Sequence, residues 1–81
     1  MSWREEGNAL VQEFEFKDFA QAFSFMTEVA FAAEKQNHHP NWSNVWNTVT
    51  IKLTTHDAGN VVTGKDHKLA ETIASIYQKF Q

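Results

Sequence analysis

The sequence contains no cysteine among its 81 residues. Disulfide bonds, a cysteine nucleophile and thiolate zinc ligands are therefore excluded. No apolar run approaches the roughly 20 residues that a membrane-spanning helix needs, and we expect no membrane partner. The net charge is −3, so the chain has no excess of basic residues. This charge argues against nucleic acid as a partner. The charged segment 1–6 has no signal core, so the expected location is cytoplasmic.

Apolar residues make up 42% of the chain and aromatic residues 14%, a composition typical of a folded protein. The length predicts a single domain over residues 1–81. A domain of this size buries only about 60% of its unfolded surface. Small domains compensate with disulfides, a metal or a partner subunit. Self-association or a histidine-based metal site are the two options that remain.

The first half of the chain predicts a β-hairpin followed by a helix. Gly7-Asn8 is a turn signal before residues 10–16, where apolar and polar side chains alternate with a period of two. Asp18 and Gln21 have the spacing of a capping box, which predicts a helix over 18–36. The expected apolar stripe of this helix consists of Phe19, Phe23, Met26, Ala30 and Ala33. Phe25, Val29 and Ala32 widen it, and Phe31 lies at its edge.

The second half repeats this order. Pro40 ends the helix, and residues 41–55 have strand composition. They form either two short antiparallel strands divided at Asn47-Thr48 or one long bent strand. A loop over 56–62 precedes a second capping-box spacing, Thr63 to Asp66. The helix predicted over 64–80 has its apolar stripe at Leu69, Ile73, Ile76 and Phe80.

The predicted order is therefore β-β-α-β-β-α. Two helices on one face of a four-stranded antiparallel sheet are the economical arrangement for this order. The fold class is α+β.

Histidines occur where two of these elements end. His38 and His39 follow the first helix, and His56 follows the last strand. Imidazole has an ordinary pKa near 6.5, so several around one cavity supply both a proton acceptor and a proton donor. Glu34 lies one helical turn before His38, so we expect it to orient that imidazole.

Structural explanations compete with this interpretation. His38 suits a helix C-terminus whatever its chemistry, and Asp66 suits the third position of a capping box. A metal site would use His38, His39, His56 and Asp57. Neighbouring residues in extended backbone point to opposite sides, so the His38-His39 pair chelates poorly. We expect no metal.

The spaced residues Glu34, His38-His39-Pro40, Trp46, His56 and Asp66 resemble the signature of the pterin-4a-carbinolamine dehydratases. The similarity continues outside the signature and covers almost the whole chain. The matching segments are 16–19, 22–26, 33–35, 44–47, 54–59 and 63–70.

The resemblance implies dehydration of a 4a-hydroxytetrahydropterin to the quinonoid dihydropterin, without a metal or organic cofactor, in tetrahydrobiopterin recycling. It implies a homodimer or homotetramer whose sheet extends across subunits. His38, His39 and His56 would be the catalytic residues. Glu34, Asp66 and Trp3 would line the same pocket.

The family usually has an N-terminal helix before this tryptophan, and we expect that helix to be absent here, because Trp3 stands two residues from the start. A non-catalytic pterin-binding or protein-interaction module on the same fold is the alternative function. The complete set of three histidines favours the enzyme.

Overall fold

The structure, a computed structural model, describes residues 3–81 and has the predicted element order. All strand pairs are antiparallel, and the sheet order is β1-β2-β4-β3. The α+β prediction is confirmed, and residues 41–53 form two short strands instead of one bent strand. The elements are β1 Arg4–Glu6, β2 Ala9–Glu15, α1 Phe19–Gln36, β3 Asn41–Val45, β4 Thr48–Leu53, a 3₁₀ turn His56–Ala58 and α2 Gly64–Gln78.

Two-residue turns close both hairpins. Gly7 and Asn8 have φ angles of 54° and 63°, the positive pair that matches the twist of antiparallel strands. Trp46 and Asn47 connect β3 to β4, with Trp46 at a φ of 49°. Asn47 accepts a 2.8 Å hydrogen bond from the Phe16 N–H and returns one of 3.0 Å from its side chain. This second turn is therefore anchored to the segment between β2 and α1.

The core lies between the helices and one face of the sheet. The register pairs Leu10 with Leu53 and Phe14 with Val49, so apolar side chains share that face. Phe25 of α1 is fully buried, and its ring centroid lies 4.8 to 6.0 Å from those of its aromatic neighbours. These neighbours, drawn from β2, the segment after it and the C-terminal region, are Phe14, Phe16, Tyr77 and Phe80.

The buried face of α1 differs from the predicted stripe. Phe19 and Phe23 are 50% and 55% exposed, and Ala30 is exposed as well. Apolar residues occupy more than one side of this helix, so spacings of three and four fit two adjacent stripes. Packing against the sheet and α2 selects between them. The buried residues are Ala22, Phe25, Val29 and Ala33.

The second helix follows its prediction more closely. Leu69 and Ile73 are fully buried, and Ile76 and Phe80 pack partly buried against the core. The helix ends at Gln78, two residues before the predicted end. Neither helix of the described chain has the length and apolar character needed for crossing a membrane.

Replacement of Phe25 tests the aromatic core. Phe25→Ala should lower the free energy of unfolding by about 3–5 kcal/mol, because it leaves a cavity where four rings meet. Phe31→Ala is the matched control, since Phe31 is on the same helix and 74% exposed, and its effect should stay within about 0.5 kcal/mol. Urea unfolding measures both. Equal losses in the two variants would contradict this description of the core.

Candidate active site

A cavity of about 310 Å³ lies where the end of α1 meets the end of β4. The three histidines that the sequence singled out, His38, His39 and His56, all line it. The remaining lining residues are Asn37, Thr54, Thr55, Asp57 and Lys65. Chain segments far apart in sequence therefore bring three imidazoles to one small concave surface.

The end of α1 determines where the first two histidines point. Asn37 adopts a left-handed conformation with a φ of 51°, which ends the helix before His38. His38 is only 9% exposed, whereas His39 is exposed, as expected for neighbours in extended backbone. Glu34 accepts a 2.9 Å hydrogen bond from His39 Nε2–H. The expectation that Glu34 orients His38 was wrong, because Asn37 takes His38 off the helical path.

His38 is instead held by Asp66, whose side chain is fully buried. The distance between His38 Nε2 and Asp66 Oδ1 is 2.5 Å. The other carboxylate oxygen, Oδ2, accepts hydrogen bonds from the Thr55 hydroxyl at 2.7 Å and from the Thr63 N–H at 2.9 Å. Burial alone would raise the pKa of Asp66. The hydrogen bonds from His38, Thr63 and Thr55 outweigh that effect and keep this pKa below its usual range.

His56 occupies the first position of the 3₁₀ turn after β4. Gly59 and Asn60 have φ angles of 90° and 61°, which turn the chain back toward His56. The Asn60 side-chain oxygen accepts a 3.0 Å hydrogen bond from His56 Nδ1–H. The imidazole is exposed, but its orientation is defined by this contact.

The three imidazoles share one hydrogen-bonding pattern. Each donates one ring N–H to a side-chain oxygen, which fixes the tautomer of the neutral ring. The second ring nitrogen of each has no hydrogen-bond partner within residues 3–81. These free nitrogens are Nδ1 of His38, Nδ1 of His39 and Nε2 of His56. The cavity therefore offers three groups able to accept a proton or, when protonated, to donate one.

The other predicted pocket residues are distributed differently. Asp66 lies behind His38, and Glu34 lies beside His39 outside the cavity lining. Trp3 is not brought to the histidines, because it packs edge-on against Phe14 and lines a separate depression of about 320 Å³. Its Nε1 is buried and has no hydrogen-bond partner in the described chain. The substrate-binding roles of Glu34, Asp66 and Trp3 stay predictions.

Sequence reasoning missed several contributors to this site. Thr55 was part of a strand-like run, and Lys65 gave no pattern that connects it to the histidines. Asn60 did carry a readable signal, because it stands four residues after His56 in a turn-forming segment. Within residues 3–81, no group of three or more metal-binding side chains is arranged to hold a metal ion.

Comparison with known sequences identifies the family. The profile described as "Pterin 4 alpha carbinolamine dehydratase" matches residues 1–76. A protein of Prochlorococcus marinus strain MIT 9515, provisionally named pterin-4-alpha-carbinolamine dehydratase, is 52% identical over 77 residues, which cover 95% of this chain and 79% of that protein. One from Rhizorhabdus wittichii with the same provisional name is 54% identical over 69 residues, 85% of this chain and 70% of its own.

Solved structures agree with this assignment. A transcriptional coactivator/pterin dehydratase from Brucella melitensis superposes with a TM-score of 0.88 at 42% identity, over 93% of this chain and 81% of that one. A pterin dehydratase-like protein described as a RuBisCO assembly factor in the alpha-carboxysome superposes with a TM-score of 0.81 at 26% identity, over 95% and 90%. The chain thus belongs to the pterin-4-alpha-carbinolamine dehydratase family.

Proposed function

We propose that this chain dehydrates 4a-hydroxytetrahydropterin to the quinonoid dihydropterin, in the recycling of tetrahydrobiopterin. The main support is the set of three imidazoles around one cavity, each with a free ring nitrogen. In this reaction a ring N–H loses its proton, the C4a–O bond breaks and the hydroxyl leaves with a proton as water. Only protons and water move, so a general base and a general acid suffice without a cofactor.

We assign the acid and base roles to His38 and His56. They stand on different segments, one after α1 and one after β4, and each is oriented through one nitrogen while the other is free. His39 positions the hydroxyl or the ring. Asp66 and Glu34 act through His38 and His39, to which they are hydrogen bonded. This division uses every oriented imidazole of the cavity.

The size of the cavity agrees with a small-molecule substrate. Its volume of about 310 Å³ lies at the lower end of the range for small-ligand sites, which begins near 300 Å³. Polar groups on several segments converge there, as recognition of a heteroaromatic ring edge requires. The predicted cytoplasmic location belongs to the same proposal.

Replacement of His38 tests the enzymatic proposal. His38→Ala should reduce turnover by roughly 10²-fold or more, because an acid/base group is lost. The measurement is stopped-flow loss of 4a-hydroxypterin absorbance, with the substrate generated in place by an aromatic amino acid hydroxylase. His67→Ala is the control, since His67 is exposed on α2 and outside the cavity.

The His67→Ala control should retain wild-type turnover. Dialysis of the wild-type chain against a chelator should also leave its turnover unchanged. A wild-type chain that fails to accelerate the decay would overturn the proposal. Equal activity of His38→Ala and wild type would overturn the assigned role of His38.

A non-catalytic interaction module is the second candidate. Phe19 and Phe23 are at least half exposed and contact each other on α1, a pair that suits a protein partner. Three further apolar side chains are strongly exposed elsewhere: Phe31, Val45 and Trp46. The structure described as a RuBisCO assembly factor adds a precedent for a role of this fold in protein assembly. A non-catalytic module would show no turnover in the stopped-flow experiment. A pterin-binding module would still bind the pterin, whereas a protein-interaction module would not.

The ionised state of Asp66 predicts how stability depends on pH. Its pKa is lower in the folded chain than the usual unfolded value of about 3.9. Such a group contributes stability above the unfolded pKa and loses it as the pH falls through the folded pKa. The free energy of unfolding should therefore decrease on acidification below about pH 5, and Asp66→Asn should flatten this dependence.

Urea unfolding at a series of pH values measures this slope. Asp57→Asn is the matched control, because Asp57 is exposed in the 3₁₀ turn, and it should keep the wild-type slope. If Asp66→Asn retained the full acid dependence, other carboxylates would have to be responsible for it.

We also propose that the chain forms a homodimer or homotetramer. The support is the small core, the unpaired edge of β3 and the contacting pair Phe19 and Phe23 on the outer side of α1. Light scattering at micromolar concentration should give a mass of at least twice 9.3 kDa. Phe23→Glu should lower it if α1 contributes to the interface. A wild-type mass of 9.3 kDa would contradict the proposal.

A further inference from the structure

Thr55 lies two residues after β4, next to His56 in sequence and hydrogen bonded to the carboxylate that holds His38. We propose that Thr55 is a positioning residue for the dehydration: its hydroxyl orients Asp66 so that His38 is held as the Nε2–H tautomer. The inference rests on the proposed function for its catalytic consequence. Its structural part, the control of the His38 tautomer, can be measured without turnover.

The direction of each hydrogen bond follows from the ionised carboxylate. Because Asp66 only accepts, the Thr55 hydroxyl must donate to Oδ2, across 2.7 Å. Its single proton is then used, so the 2.6 Å contact with Thr63 requires the Thr63 hydroxyl to donate to Thr55. Thr63 Oγ1 in turn accepts from the Lys65 N–H at 3.3 Å. A one-directional series of hydrogen bonds therefore runs from the backbone of α2 through two hydroxyls to Asp66, which also accepts from His38 Nε2–H.

Because these hydrogen bonds are buried, they restrict the orientation of the Asp66 carboxylate. Thr55 is 6% exposed and Asp66 is fully buried, so bulk water has little access to replace a missing donor. Among the described residues, Oδ1 of Asp66 is hydrogen bonded to His38 alone, and Oδ2 is held by the Thr55 hydroxyl and the Thr63 N–H. Without the hydroxyl, one donor restrains Oδ2 and the carboxylate gains rotational freedom. The orientation of His38 then loses its support.

The backbone hydrogen bonds of Thr55 support His56 and not His38. Its N–H donates to Val61 O at 2.9 Å, and its carbonyl accepts from Ala58 and Asn60 at 3.2 and 3.1 Å. These bonds shape the turn that carries His56 and its partner Asn60. A side-chain substitution at Thr55 consequently disturbs the support of His38 and leaves that of His56 intact, which makes His56 an internal control.

Ring ¹⁵N NMR of the histidines at about pH 8, where ordinary imidazoles are neutral, reads their tautomers directly. In the wild-type chain, His38 should show a protonated Nε2 and a free Nδ1. In Thr55→Val, which keeps the β-branched shape but lacks the hydroxyl, the two His38 resonances should move toward each other as the tautomers mix. Thr55→Ser should restore the wild-type pattern, and the signals of His39 and His56 should stay in place.

Turnover provides the second measurement. Thr55→Val should reduce kcat by about 10-fold with KM changed by less than about 2-fold, because positioning is lost while binding is retained. Thr55→Ser should recover most of kcat. Thr55→Ala is the alternative variant if valine prevents folding, with the same expected resonances.

Two results would overturn the inference. One is a His38 that remains wholly the Nε2–H tautomer in the folded Val or Ala variant. The other is a joint displacement of all three histidines, which would indicate a general structural change. A wild-type chain without turnover would overturn the proposed function alone, because the ring-nitrogen measurement would still decide the role of Thr55.

Discussion

The buried carboxylate of Asp66 is the contact on which both the fold and the site depend. An isolated ionised carboxylate in the interior is strongly unfavourable, so its donors have to be present for the chain to fold around it. Those donors come from the segment after α1, the segment after β4 and the start of α2. The hydrogen bonds to one side chain therefore fasten three separate segments at the corner where the cavity lies. One oxygen caps a helix, and the other orients an imidazole.

Much of the fold was predictable because short local sequence patterns determine where its turns and helix boundaries lie. Gly7-Asn8 marks a turn and the Thr63 to Asp66 spacing marks a helix start through short-range sterics and hydrogen bonds. The end of α1 was predicted from Pro40, but the helix ends before it, at the left-handed Asn37. The buried side of α1 was not predictable in this way. A helix with apolar residues on several sides satisfies more than one stripe, and only its contacts with the sheet decide which side is covered. Phe19 and Phe23 were misplaced for this reason.

The three histidines could be predicted to lie close together, but neither their hydrogen-bond partners nor the separate position of Trp3 could. The ends of α1 and β4 brought the three histidines to one cavity, as element ends in a layered fold allow. The partner of His38 depended on one left-handed residue, Asn37, and on a carboxylate 28 positions away. Thr55 has ordinary strand character in the sequence. Its importance comes from a tertiary contact that no local pattern reports.

Because His38 and His39 point in opposite directions, one side of the cavity is lined by a buried imidazole and the other by an exposed one. The imidazole of His38 is enclosed by protein groups and is only 9% exposed. The imidazole of His39 is exposed, and its carboxylate partner Glu34 is exposed as well. For the proposed dehydration, solvent has direct access to the exposed acid/base residue His56 and much less access to His38. A proton lost or gained at His56 is then restored from solvent without any opening of the fold.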